Sequence, residues 1–182
     1  MTPTIRDRLM ITAMASLAFT SVQACDIVPD VTHTFYGFPD NDPPGPAITY
    51  DCGRGLTADG TGTFDDPLTF ASAPGEFTQC EVIFAPYLHK YIRFEDVCSQ
   101  CTDEWNSAGI HHIDIWTGSN TTDGGQDQIN CEMRLTPTGN LSIVRNPSMD
   151  LVVDATPLFV PGGNPSCNVD HVFPNESAAN FC

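Results

Sequence analysis

The chain has 182 residues, with seven Lys or Arg against 23 Asp or Glu, giving a formal net charge of −16. That charge opposes binding to nucleic acid or to an anionic membrane surface and leaves neutral polysaccharides or a cationic partner as the compatible classes. Fifteen prolines and fourteen glycines cut the sequence into short pieces, which excludes an architecture of long helices.

Residues 1–24 begin with Arg6 and Arg8, continue through the apolar run Leu9 to Phe19, and end on Val22-Gln23-Ala24. The pattern predicts a secretory signal peptide cut after Ala24. The apolar run is too short to span a hydrocarbon core of roughly 30 Å. Cleavage removes two of the seven basic residues and one of the 23 acidic ones, so the mature chain carries a net charge of −17. It is expected to be a secreted, extracellular monomer of one domain, residues 25–182, with no membrane anchor.

All eight cysteines, Cys25, Cys52, Cys80, Cys98, Cys101, Cys131, Cys167 and Cys182, follow the cleavage point. An even number entering an oxidising compartment predicts four disulfides, whose pairing counting alone leaves open. A redox or zinc role for Cys98-x-x-Cys101 lacks the second Cys-x-x-Cys or the strand–helix context it would need. Asn120, Asn140 and Asn175 head N-glycosylation sequons.

In chain order, the alternation and turn signals predict strands at 33–38, 47–51, 68–71, 80–84, 90–97, 110–116, 141–145, 151–154 and 158–160. Helical turns are expected at 102–107 and 125–133. A mainly β barrel or sandwich follows, with the segment from about residue 135 extending or covering it. The Pro39 to Pro46 loop is too proline-rich for a central strand and reads as a surface lip.

The chemistry concentrates between Tyr91 and Gly118, where two alternating segments are joined by the Cys-x-x-Cys loop and each carries an aspartate, Asp96 and Asp114. Period-two geometry places His112, Asp114 and Trp116 on one face of the second segment. Asp51, Asp96 and Asp114 sit at strand ends beside cysteines or aromatics, and glycan cleavage requires two such carboxyls, one holding a proton. Tyr36 and Trp116 are the first choices among the aromatics as sugar-stacking rings, ahead of Tyr50, Tyr87, Tyr91 and Trp105. Most of these acids and rings would serve surface and core in any β domain. Adjacent His111 and His112 point to opposite faces, so the spacing demands no metal, and no cofactor is expected.

Glu95-Asp96-Val97-Cys98-Ser99-Gln100-Cys101 followed by Ile113-Asp114-Ile115 resembles the Asp-x-Cys-x-x-Cys and Ile/Leu-Asp-Leu signature of secreted double-psi β-barrel proteins. These are the fungal rare lipoprotein A-like, expansin-like and barwin-like proteins. Thr34-Phe35-Tyr36-Gly37 is similar to the opening of expansin barrels, and His112-Ile113-Asp114-Ile115 to their His-Phe-Asp-Leu. The resemblance covers residues 32–118. It implies a six-stranded double-psi barrel with an open polysaccharide groove, Asp114 as groove acid, and Asp40 as second carboxylate, with Asp51 as the alternative. The Cys101 to Asp114 gap is longer than in the lipoprotein A-like proteins, and Trp116-Thr117-Gly118-Ser119 looks somewhat like lytic transglycosylases of the same barrel. The expected function is binding, and loosening, of cell-wall polysaccharide through Asp114, with Tyr36, Asp96, His112 and Trp116 as binding residues. The alternatives are glycan cleavage with Asp114 as general acid, and a secreted effector or inhibitor that binds an extracellular host protein.

Overall fold

A computed structural model describes residues 24–182. The predicted signal peptide, apart from Ala24, lies outside the described residues. Strands β1 (Asp26–Gly37), β2 (Leu68–Ser72), β3 (Val82–Ala85), β4 (Lys90–Val97), β5 (His112–Thr117) and β6 (Leu141–Arg145) close into a barrel in the order β1-β5-β2-β4-β3-β6. The expected six-stranded, disulfide-stabilised barrel is thus what the chain forms. Two pairings are parallel, β1 with β5 and β2 with β4, and the other four are antiparallel. Closure leaves no unpaired edge along the barrel.

Strand β1 serves two partners. Its first residues pair antiparallel with β6, a register irregularity follows between Val28 and Val31, and Thr32 to Gly37 then pair in parallel with β5. Asp30 has φ 58° inside that irregularity, an αL conformation that aspartate tolerates better than most residues. The strand expected from residue 33 begins earlier, at Asp26, and takes in Pro29. Pro29 is accommodated at the irregularity, where a ladder bond is already lost.

Helix α1 (Ser99–Ala108) connects β4 to β5, and helix α2 (Gly125–Leu135) connects β5 to β6. Cys98 caps α1, its sulfur accepting the Cys101 N–H at 3.0 Å, and Gly109 ends the helix at φ 65°. Gln128, Cys131, Glu132 and Leu135 form the buried stripe of α2 at helical spacing. The stripe packs so closely on the end of β1 that a Cβ on Gly37 would fall 1.8 Å from Gln128 Nε2.

Phe35, Phe70, Ile83, Ile92, Phe94, Ile113 and Ile115 belong to the main core. A second cluster, Phe84, Tyr91, Val144 and Ala178, packs with Cys25, Leu151 and Phe181. The disulfides are Cys25–Cys182, Cys52–Cys80, Cys98–Cys101 and Cys131–Cys167. Two predicted strands do not form. Residues 47–51 make only a bridge from Ala47 to Thr57, and 151–154 lie on the barrel without pairing as a strand. With the barrel already closed, neither segment finds an edge to join. The last predicted strand is real but short, β7 (Phe159–Val160), and it pairs with β8 (Ser166–Cys167) in a separate two-stranded sheet.

Glu95 is completely buried, yet it is balanced. Arg93 Nη2 lies 2.7 Å from one carboxylate oxygen, while Arg54 and the Thr69 hydroxyl, at 2.6 Å, engage the other. Arg54 also reaches Asp66 at 3.1 Å. This network ties the irregular 53–66 segment to the wall of the barrel.

Candidate functional site

Barrel register brings the acids together. Ala71 on β2 pairs with Asp114 of β5 on one side and with Asp96 of β4 on the other, and Asp114 in turn pairs with Thr34 of β1. A shift in the β2–β4 register after Phe70 carries Asp96, instead of Glu95, opposite Ala71. The methyl of Ala71 leaves open space between the two carboxylates. An open groove of about 240 Å³ results, lined by Thr34, Tyr36, Asp40, Asp96, His112 and Asp114, with the first turn of α1 at its rim.

Asp114 is only partly open to the groove, and packing withdraws most of the surrounding water. Burial therefore pushes its carboxyl up to about 7, and the charges of Asp40 and Asp96 add to the rise while the Thr34 hydrogen bond opposes it. A carboxyl of that kind carries a proton for part of the time at neutral pH and can donate it.

A hydrogen-bonded chain connects Asp114 to solvent. The Thr34 hydroxyl lies 2.7 Å from Asp114 Oδ1 and 2.9 Å from His112 Nε2, and His112 Nδ1 lies 2.8 Å from Glu104 Oε2 on α1. His112 is buried, whereas the Glu104 side chain is 28% exposed. The bond from Gln100 and the contact with His112 hold the Glu104 carboxyl below its ordinary value, so His112 Nδ1–H donates to a carboxylate. Thr34 has one proton to give. It donates to Asp114 Oδ1 or turns to His112 Nε2, so the two groups share one hydroxyl. Thr34→Val keeps the shape and breaks the chain. It is expected to raise the Asp114 pKa above about 7, because a bond that lowers it is lost, as carboxyl carbon NMR against pH would show.

Asp40 accepts the Gly37 N–H at 2.9 Å, which holds it at the groove's lip. Behind it lies Glu132 of α2, taking the Thr117 hydroxyl at 2.6 Å. Burial first, and the Asp40 charge next, push the Glu132 carboxyl up to about 8 against the pull of the Thr117 bond, and its Oε2 is buried without a partner among the described residues. Asp96 is an anchor: its oxygens accept the Thr49 N–H and hydroxyl, the Val97 N–H and the Tyr36 hydroxyl at 2.8–3.1 Å.

Five of the seven sequence-derived site residues therefore converge: Asp114, Asp40, Asp96, Tyr36 and His112. Two do not. Asp51 lies outside the groove lining, where it accepts the Gly53 and Gly55 N–H groups in a turn, and those bonds hold its carboxyl below the ordinary value. Trp116 is 1% exposed and cannot serve as a stacking platform. Tyr36, 7% exposed, lines the groove with its hydroxyl on Asp96 and its ring packed edge-to-face with Trp116 at 5.3 Å, and is likewise no open platform. Tyr87 and Tyr91 are buried too, while Trp105 and Tyr50 keep partial exposure. Strand β5 is covered on both faces, so its alternation did not separate wet from dry.

Thr34, Glu104 and Glu132 were missed. The signal for Glu132 is its place with Gln128 on a helical stripe that also holds Cys131 and Leu135. A polar pair on an inward face calls for a function or a partner. The histidines are dispersed: His111 bonds Glu76 at 3.0 Å, His171 bonds Asp154 at 2.7 Å, and His89 stacks on Phe173. Among the described residues no group of three or more His, Cys, Asp or Glu is placed to hold a metal ion, and no helix is long and apolar enough to cross a membrane.

Residues 28–168 match the family model described as the DDB_G0273701 N-terminal domain. The chain belongs to that family. Among DDB_G0273701 proteins, the Dictyostelium discoideum "Uncharacterized protein DDB_G0273701/DDB_G0273221" is 35% identical over 146 residues, covering 80% of this chain. The chain spans 63% of that relative's length. No solved structure matches. The interval matched to the DDB_G0273701 N-terminal domain takes in every groove residue named above and Glu132.

Proposed function

We propose that this protein acts outside the cell and binds cell-wall polysaccharide in the acidic groove, loosening the polymer's contacts with its neighbours. The observation that carries the reading is the convergence of Asp114, Asp40 and Asp96 with Thr34 and Tyr36 in one open groove. Carboxyl and hydroxyl groups at fixed positions suit the hydroxyl-rich surface of a glycan. Four disulfides are consistent with an extracellular setting. Resemblance to double-psi barrel proteins supports the polymer class. The sequons point the same way: Asn140 and Asn175 are exposed and Asn120 is half-buried at the surface, so glycans there are part of the proposal.

A second reading, glycan cleavage, is favoured by one feature: burial raises the Asp114 carboxyl to about 7, with the Thr34–His112–Glu104 chain behind it and Asp40 in the same groove. The third reading, capture by a cationic host protein, draws on the net charge alone.

Depletion onto insoluble chitin, β-glucan, cellulose and peptidoglycan tests the proposal, with mass spectrometry of the supernatant. The wild type is expected to be depleted on at least one polymer and Asp40→Asn to bind it more weakly. Soluble oligosaccharides that vanish in Asp114→Asn would replace loosening by cleavage. Absence of depletion on all four, alongside retention by a cationic extracellular protein, would overturn both sugar readings.

A further inference from the structure

A second cavity, of about 220 Å³, opens on the other side of the Tyr36–Trp116 ring pair: Tyr36 lines the groove, and Trp116 lines this cavity. Leu68, Pro157 and Leu158 supply apolar walls, and the C-terminal segment closes over the barrel here. A cavity of roughly 150 Å³ holds a benzene-sized molecule, so this one accommodates a ligand somewhat larger.

Two donors in its lining are underused. The Trp116 indole N–H is buried and has no acceptor, a state that costs about 1–3 kcal/mol when nothing satisfies it. Lys90, 2% exposed, also lines the cavity. Its ammonium has three N–H groups, and two main-chain carbonyls accept from it, Thr61 at 3.3 Å and Asp154. Among the described residues no carboxylate forms an ion pair with it, although the Asp154 charge acts on it from nearby. The nearby Asp154 carboxylate is spent on His171 and the Thr156 N–H. Asp59, the one acid in the lining, takes the Gly60 N–H on one oxygen and the Asn120 amide on the other, each at 2.8 Å. Among the described residues, therefore, the lining joins apolar walls to an indole N–H with no acceptor and an ammonium bonded only to main-chain carbonyls, while its carboxylate is engaged on both oxygens.

We propose that this cavity is a binding site for a small carboxylate, such as a sugar acid. Its oxygens accept from the Trp116 indole N–H and the Lys90 ammonium, while its carbon skeleton packs on Leu68, Pro157 and Leu158. The site is independent of the polysaccharide reading, since none of its lining residues lies in the groove.

The test follows the two indole N–H signals of the intact, oxidised protein by proton–nitrogen NMR, with Trp105→Phe assigning them. D-glucuronate is expected to move the Trp116 signal saturably, acetate to move it more weakly, and D-glucose to leave it unmoved. Lys90→Met is expected to weaken glucuronate binding at least tenfold. Should that variant misfold, the wild type supplies the same contrast: burial holds the Lys90 ammonium down at about 8, so affinity must fall at least tenfold between pH 7 and pH 9.5. An indole signal unmoved by either acid, or moved equally by glucose, overturns the proposal. A glucuronate response unchanged at pH 9.5 does the same. To separate a free acid from the uronate end of a polymer, a uronate-terminated oligosaccharide is compared with the monomer; equal or weaker binding of the oligomer assigns the free acid.

Discussion

Asp114→Asn is expected to be more stable than the wild type at pH 8, by about 2–4 kcal/mol, and to lose that advantage below about pH 4. The sign comes from linkage. In the unfolded chain Asp114 ionises at its ordinary value of 3.8, whereas in the folded barrel burial and two neighbouring aspartates raise it to about 7. Below pH 4 both states are protonated and the group contributes nothing. Between about 4 and 7 the unfolded state sheds a proton that the folded state keeps, so folding weakens as pH rises, by roughly 1.4 kcal/mol for each pH unit. Above about 7 both states are ionised and the full cost persists. Asparagine removes the ionisation and leaves an acceptor for the Thr34 hydroxyl. Urea unfolding at pH 3.5, 6 and 8 checks this, and equal stability of the two proteins at pH 8 would show that Asp114 ionises as an ordinary surface acid does. Gain of stability on loss of a charged group is the mark of a residue retained for chemistry instead of folding.

Glu95→Ala is expected to lose about 3–5 kcal/mol, the largest effect of any single substitution considered. Arg54 and Arg93 would be left facing each other across a buried void, and the Thr69 hydroxyl would lose its acceptor. The loss is far larger than an exposed ion pair commands, because the carboxylate is completely buried. Urea unfolding at pH 7 measures it. A second comparison isolates the charge: Glu95→Gln keeps the shape and much of the bonding, so its loss should be smaller than that of alanine yet clearly above 1 kcal/mol. A loss below that in Glu95→Ala would mean that water reaches the two guanidinium groups.

The two acids of the YIRFEDV and HHIDIWT segments were legible as neighbours from the alternation of two segments joined across Cys98-x-x-Cys101. The joint, however, holds the ten-residue helix α1, and the acids meet because β2 runs between them and sets both beside Ala71. The limits of Lys90–Val97 and Leu141–Arg145 also came straight from alternation and turns. Asp40 was found through resemblance alone, since nothing in its composition sets it apart from the other acids of the Pro39 to Pro46 loop. What stayed hidden has a common physical cause. Strand β2 is buried along its whole length and β5 nearly so, under α1, α2 and the C-terminal segment, which removes the wet-and-dry contrast that alternation needs. Trp116 and Tyr36 were therefore read as exposed when they are walls. Thr34 carried no signal as a shared hydroxyl, because its role depends on a parallel partner 80 residues away in the chain. The 47–51 segment alternates like a strand, but its bonds go to Glu95 and Asp96, along a loop crossing the barrel.

Strand β1 has its ladder partners in β5 and β6, which emerge from the ribosome only after most of the chain has been made. It is the first strand synthesised and among the last to be seated. Until Ile115 and Trp116 are available, Phe35 and Tyr36 wait on an unpaired apolar strand, the condition that slows folding and invites aggregation in chains rich in distant contacts. The groove shares that schedule, since Thr34 and Asp114 meet only through the β1–β5 register. The candidate chemistry can therefore assemble once β5 is made, before β6 closes the barrel.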